Sequence, residues 1–157
     1  MVVARWSPST VEYLVLSDSA LLVESPDGVV TPVLDDRLSR LPRAALATDA
    51  LIDANLRNKE GGFFTAAANP SVAARAVTGS LDRTRVRTLT ALTDGAARWV
   101  ERFEEGNWTD CFTFVRKRGA QALVDRVREL ERADAEARTY LGRSKTHDDA
   151  TVVYAEL

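Results

Sequence analysis

Residues 84–105, TRVRTLTALTDGAARWVERFEE, read from left to right as three kinds of structure. Thr88 to Leu92 alternate Thr with Leu and Ala, the β-branched and apolar pattern of a strand. Asp94-Gly95 then supplies turn chemistry, and Trp99 and Phe103 recur at the four-residue spacing of one helical face. Strand, tight turn and helix in immediate succession imply a mixed α and β chain whose strand ends are fixed by the adjoining turns.

Upstream, short apolar runs alternate with turn residues: MVVARW, SPST, VEYLVLSDS, ALLVES, PDG and VVTPV. This is the pattern of a β-meander, with Asp27-Gly28 providing the positive φ of a tight hairpin. From Pro42 the pattern becomes helical over residues 42–58, with Ala45, Ile52 and Leu56 on one face. Phe63 to Ala66 predict a short strand. Asn69 as N-cap and Pro70 at the first position open a second helix expected to stop near Gly79. Downstream, residues 109–118 predict a short helix. Residues 119–141 predict a longer one with the stripe Ala120, Leu123, Val124, Val127, Leu130, Ala137 and Leu141, ended by Gly142. ATVVYAEL, at the end of the sequence, reads as a strand.

The 157 residues are 45% hydrophobic and 28% charged, the balance of a globular chain with a substantial core. Basic and acidic residues number 21 and 23, leaving a formal charge of -2, so no whole-molecule field attracts a nucleic acid. No apolar run approaches the roughly 18–20 residues of a membrane-spanning helix, and residues 1–13 show no charged region leading into a long apolar segment. One cysteine, Cys111, makes no internal disulfide and anchors no zinc site. A cytoplasmic location without membrane or nucleic acid partners is the expectation.

The residues that suggest chemistry are carboxylates at strand ends: Asp18 in LSDSALL, Asp94 in ALTDGAA, and Asp148-Asp149 in KTHDDATVV. A strand end holds the backbone rigidly while its side chain projects into a shared space, a position suited to metal ligands. Ser17-Asp18-Ser19, Thr93-Asp94-Gly95 and Asp148-Asp149-Ala150-Thr151 occur in the order of three motifs of the metal-dependent Ser/Thr protein phosphatases of the PP2C (PPM) family, which the chain resembles from about Val11 to Leu157. NKEGGFF, residues 58–64, also looks like the segment before that family's substrate-facing region. The resemblance implies an α/β (α+β) fold: the C-terminal part of a PP2C-like β-sandwich, antiparallel strands with flanking helices. It further implies a Mg²⁺ or Mn²⁺ centre with Asp94 and Asp148 as direct ligands and Asp18 as ligand of an additional ion. Such ions lower the pKa of a bridging water and neutralise charge on a phosphate ester. Carboxylate oxygens suit these hard cations. Asp149 is expected to support the loop rather than bind metal.

In its N-terminal half the same family carries an Arg that grips the substrate phosphate and an Asp-Gly-x-Gly-Gly motif. The Asp-Gly pairs here, Asp27-Gly28 and Asp94-Gly95, are followed by Val-Val and Ala-Ala. Residues 1–157 therefore read as one PP2C-like domain truncated on its N-terminal side, acting on a phosphoprotein substrate if the missing half is supplied. The alternative is a catalytically inactive half-domain that binds a protein partner. Uncovered sheet edges would favour self-association. Among the remaining polar residues, Arg37 and Lys59 with Asn58 are candidate contacts to a phosphorylated substrate. His147 reads as a loop residue, with a general-acid role as the alternative. Cys111 and the tryptophans Trp6, Trp99 and Trp108 are expected in the core.

Overall fold

A computed structural model describes residues 1–66, 69–137 and 146–157. Strands β1 (Val2–Trp6), β2 (Thr10–Val15) and β5 (Val77–Asp82) form an antiparallel sheet in the order β1-β2-β5. Strands β3 (Ala20–Glu24), β4 (Val30–Leu34), β6 (Thr88–Leu92) and β7 (Val152–Glu156) form a second antiparallel sheet in the order β4-β3-β6-β7. The two sheets face each other across Val11 and Val15 on one side and Leu21, Val23 and Leu89 on the other. The opposite face of the four-stranded sheet, through Ala20, Leu22 and Leu92, packs on helices α2 (Asp94–Glu101), α3 (Trp108–Arg118) and α4 (Ala120–Ala137). The chain is thus α+β: a sandwich of two antiparallel sheets with helices stacked on the larger.

The expected meander is corrected in one respect. The first four strands make two hairpins in two different sheets, because β2 pairs with β1 and β5 while β3 pairs with β4 and β6. Burial shows the reason. In TVEYLV only Val11 and Val15 are buried, as suits a strand with one face on the core, whereas every residue of ALLVE is buried, as suits a strand covered on both faces. The chain changes sheet over Leu16–Ser19, where Ser17 takes a left-handed conformation (φ 66) and its N–H donates to Asp35 Oδ2 at 2.8 Å. Glu24, buried at the end of β3, accepts from Thr88 Oγ1 and Arg116 Nη1 at 2.8 and 2.7 Å, so its charge is paired.

The region before β5 departs more from expectation. Residues 42–58 break into a 3₁₀ turn (Arg43–Leu46) and α1 (Asp49–Asn55), the latter capped by Thr48 Oγ1. α1 buries none of its residues, so little tertiary packing extends it. The strand expected at Phe63–Ala66 reduces to an isolated parallel bridge between Arg57 and Phe63. Phe63 and Phe64 are both buried, which an alternating strand with one covered face would not allow. Asn69 caps as expected, but Pro70–Arg75 is 3₁₀, and the chain then runs as β5 straight through Gly79. Gly79 stands opposite Tyr13, and a Cβ there would lie 2.2 Å from the Tyr13 hydroxyl oxygen. The glycine makes room for a cross-strand tyrosine and does not stop a helix.

Helices α2 and α3 and the closing strand lie where the sequence places them. In α4, Leu123 and Val127 are fully buried. The expected contributions of Leu141 and Gly142 lie outside the described residues. Cys111 and Trp99 are in the core, and burial pushes the Cys111 thiol up to about 12. Trp6 is the exception, 54% exposed at the end of β1. Among the described residues no helix is long and apolar enough to cross a membrane.

Candidate functional site

Leu34, Ala20, Leu92 and Val152 are aligned across the four-stranded sheet, at one end of β4, β3, β6 and β7 respectively. An acidic residue lies within one to four positions of each: Asp35 directly after β4, Asp18 two before β3, Asp94 two after β6 and Asp148 four before β7. Three of the four are those singled out by motif. Strands far apart in sequence thereby deliver carboxylates to one end of one sheet.

The turn after β6 is tied to the segment before β7. Thr93 N–H donates to the Thr151 carbonyl at 3.1 Å, Thr151 N–H returns a bond to Thr93 Oγ1 at 2.9 Å, and Thr93 Oγ1 donates to the Asp149 carbonyl at 3.2 Å. Gly95 lets the two segments touch, since a Cβ there would sit 2.4 Å from the Asp149 carbonyl oxygen. The Thr, the Gly and the second Asp of the two motifs therefore hold the backbones of Asp94 and Asp148 in a common frame. Asp149 acts through its main chain.

Asp94 opens α2, and its carboxyl is raised above the ordinary value, first by burial and then by the charges of Asp18 and Asp148. The Gly95 N–H and Arg98 pull it the other way. Glu101, two turns further along α2, reaches the same region. Glu101 is exposed by area and lines a cleft, where desolvation followed by the charges of Asp18 and Asp94 pushes its carboxyl up to about 7. Asp18, Asp35 and Asp36 line the same cleft of about 540 Å³, whose remaining walls include Leu34, Leu38, Leu41 and Leu46.

Asp148 is held differently. Its Oδ2 accepts from Arg98 Nη2 at 3.0 Å, and its carbonyl accepts from Arg128. Both arginines also bind Glu131, whose side chain is completely buried in α4. His147 Nδ1 lies 3.0 Å from Glu131 Oε2. Burial would raise Glu131, but hydrogen bonds from His147, Arg128 and Arg98 outweigh it and hold the carboxyl below its usual value. His147 is thus a bracing residue of the loop that carries Asp148. Asn58 and Lys59 likewise serve their own loop: Asn58 Oδ1 accepts from Thr65 N–H at 2.8 Å, and Lys59 donates to the Ala54 carbonyl.

Carboxylate oxygens are the right donors for Mg²⁺ or Mn²⁺. Their arrangement is open, however: among the described residues no group of three or more His, Cys, Asp or Glu side chains is gathered as a metal would require. The charges of both Asp18 and Asp148 act on Asp94, and Asp148 is in addition paired with Arg98. Asp35 and Glu101 were missed in the sequence. Asp35 follows VTPVL as Asp94 follows TLTAL, so the rule that found one applies to the other. Glu101 lies seven residues after Asp94 on the same helix, a spacing that returns to the same face. Glu131 left no signal, since it stands among charges on what reads as a solvated helix side. Compared with protein-family models and with curated proteins, the chain matches none.

Proposed function

We propose that the chain is a PP2C-like phosphatase module that contributes part of a Mg²⁺ or Mn²⁺ site for removing phosphate from phosphoserine or phosphothreonine in proteins, a site that also needs the Asp-Gly-x-Gly-Gly carboxylate and phosphate-gripping Arg that these residues do not include. The observation that carries this reading is the register of β3, β6 and β7, which brings the motif aspartates Asp18, Asp94 and Asp148 to one end of the sheet. A divalent cation bound there would supply an activated water and charge neutralisation for the ester. Asp94 and Asp148 are the proposed ligands, and Asp18 that of an additional ion. Asp148 would exchange its Arg98 partner for the cation, leaving Arg98 on Glu131. The Thr93 and Gly95 contacts hold the two ligand backbones in place throughout. A cytoplasmic location belongs to the same proposal, since the one cysteine needs no oxidising compartment.

The second reading, a non-catalytic module that binds a protein partner, is favoured by the Arg98–Asp148 pair, which satisfies a proposed ligand without metal. Hydrolysis of an aryl phosphate by the purified chain, with and without Mn²⁺ and beside Asp94→Asn, separates the two. Turnover that requires Mn²⁺ and disappears in Asp94→Asn supports the phosphatase; no Mn²⁺-dependent turnover in either protein means that the aspartates belong to an incomplete site or to the binding module. Light scattering on the same preparation reads self-association, expected from the free edges of β1 and β5, and a monomer at tens of micromolar would remove that part.

A further inference from the structure

Arg37 is the sequence candidate that the strand-end site does not absorb. It sits on a short ridge, residues 35–41, that sorts charge to its two sides. Asp35 and Asp36 line the acidic cleft, whereas Arg37 and Arg40 line a second cleft of about 490 Å³, and Leu41 borders both. The sorting follows from local ion pairs. Arg37 clasps Asp35 with Nε and Nη2, both at 2.7 Å, and Arg40 pairs with Asp36 one helical turn away.

The second cleft is built around Phe64. The guanidinium of Arg37 lies 5.0 Å from the ring centroid and that of Arg75 lies 5.2 Å from it, and Arg37 also donates to the Arg75 carbonyl. Arg37 is thereby fixed, and Arg75 is positioned with its other contact on Glu60. The remaining wall is the pair Gly61-Gly62. A Cβ at Gly61 would meet no atom within 4 Å, so the space over Gly61 is open, whereas Gly62 packs closely on the Leu56 carbonyl. Three guanidiniums face an open cleft that contains one carboxylate residue among its lining, Glu60.

We infer that this cleft binds a phosphate monoester, a second phosphorylated side chain of a protein whose first lies at the strand-end site. Arg40 and Arg75 are the recognition residues. Their side chains are 73% and 49% exposed, and their present partners Asp36 and Glu60 are 48% and 73% exposed. Exposed pairs of this kind contribute little, so a dianionic phosphate that offers several acceptor oxygens displaces them. Arginine's planar fork matches that geometry, and Arg37, whose charge Asp35 balances, shapes the wall of the cleft beside Phe64. The inference rests on the phosphatase reading only in naming a phosphoprotein as the source of the anion.

The test is fluorescence anisotropy on the metal-free chain with a labelled neutral peptide carrying one phosphoserine, beside its unphosphorylated twin. The phosphopeptide is expected to bind at least about tenfold more tightly than the twin, with an affinity that falls as salt rises. The preference should vanish in Arg40→Gln/Arg75→Gln, strengthen in Glu60→Gln, which deletes the competing carboxylate, and persist in Asp94→Asn. Equal binding of the two peptides, or a preference that survives the double variant, overturns the inference. Displacement by inorganic phosphate at the same concentration as the peptide overturns the phosphoprotein source and assigns the cleft to the free anion. Because the readout is binding without metal, loss of aryl phosphate turnover would strike the phosphatase reading and leave this result standing.

Discussion

The two sheets are built from similar strands and treated unequally. The central strand β3 of the four-stranded sheet is covered on one side by the partner sheet and on the other by the helices and has no exposed residue, whereas the edge strands β4 and β7 keep exposed positions such as Val153. The three-stranded sheet is covered on its inner side, while its outer side keeps Val3 49% exposed and carries the Arg5–Glu12 surface pair. All four strand-end aspartates belong to the first sheet. A site whose parts come from separated strands needs strands that do not shift, and the buried central strands β3 and β6 supply that rigidity while β4 and β7 are held by pairing to them.

Truncating one side chain in each sheet puts this contrast to its most direct test. Leu22→Ala, at a fully buried position between β3 and the helices, should cost about 2–5 kcal/mol, whereas Val3→Ala on the open face should stay within about 0.5 kcal/mol by urea denaturation. Equal losses would mean that the outer face of the small sheet is covered after all, for example by another copy.

A smaller effect is expected at the buried acid that braces the Asp148 loop. Glu131→Gln removes the charge that Arg98, Arg128 and His147 share and should cost about 2–3 kcal/mol near neutral pH. Its sign with pH follows from linkage. The folded carboxyl lies below its unfolded value of 4.5, so the wild type holds this stabilisation above that pH and loses it on acidification through the folded pKa. The gap between wild type and variant should therefore narrow in thermal unfolding as the pH falls below 4.5. A gap independent of pH would mean that Glu131 contributes packing and no charge.

The smallest effect belongs to the cleft, because Glu101 is exposed by area and solvent screens most of its interaction. Glu101 has its carboxyl pushed up to about 7, above the unfolded 4.5. In that window the folded state binds the extra proton, so stability falls as pH rises from 4.5 to 7 and the full cost persists above it. Glu101→Gln should melt higher than the wild type at pH 8 and together with it at pH 4. A variant that melts lower at pH 8 would place a stabilising cation partner at Glu101 and unseat the view of a crowded acidic cleft.

Much of this architecture is legible residue by residue. TRVRTLTALTDGAARWVERFEE folds as strand, turn and helix because each local preference agrees with its neighbours, and the Asp27-Gly28 hairpin follows from a positive φ that glycine alone adopts freely. Local reading failed where a residue answers to a distant one. Gly79 looks like a helix stop until Tyr13 stands opposite it, and Glu131 looks solvated until two arginines and a histidine converge on it. Phe63 and Phe64 look like one strand but are both buried, which a strand with a single covered face forbids.

Short stretches of the chain were enough for the mixed α and β class, the positions of β6, β7, α2 and α3, and the three motif aspartates, because periodicity, turn chemistry and charge are local properties. Long-range packing alone parts β2 and β3 into different sheets, brings Asp35 and Glu101 to the acidic end, sets Arg98 on Asp148, and gathers Arg37, Arg40 and Arg75 in a cleft beside Phe64. Those arrangements depend on which buried faces find each other, and that is a property of the whole packed chain.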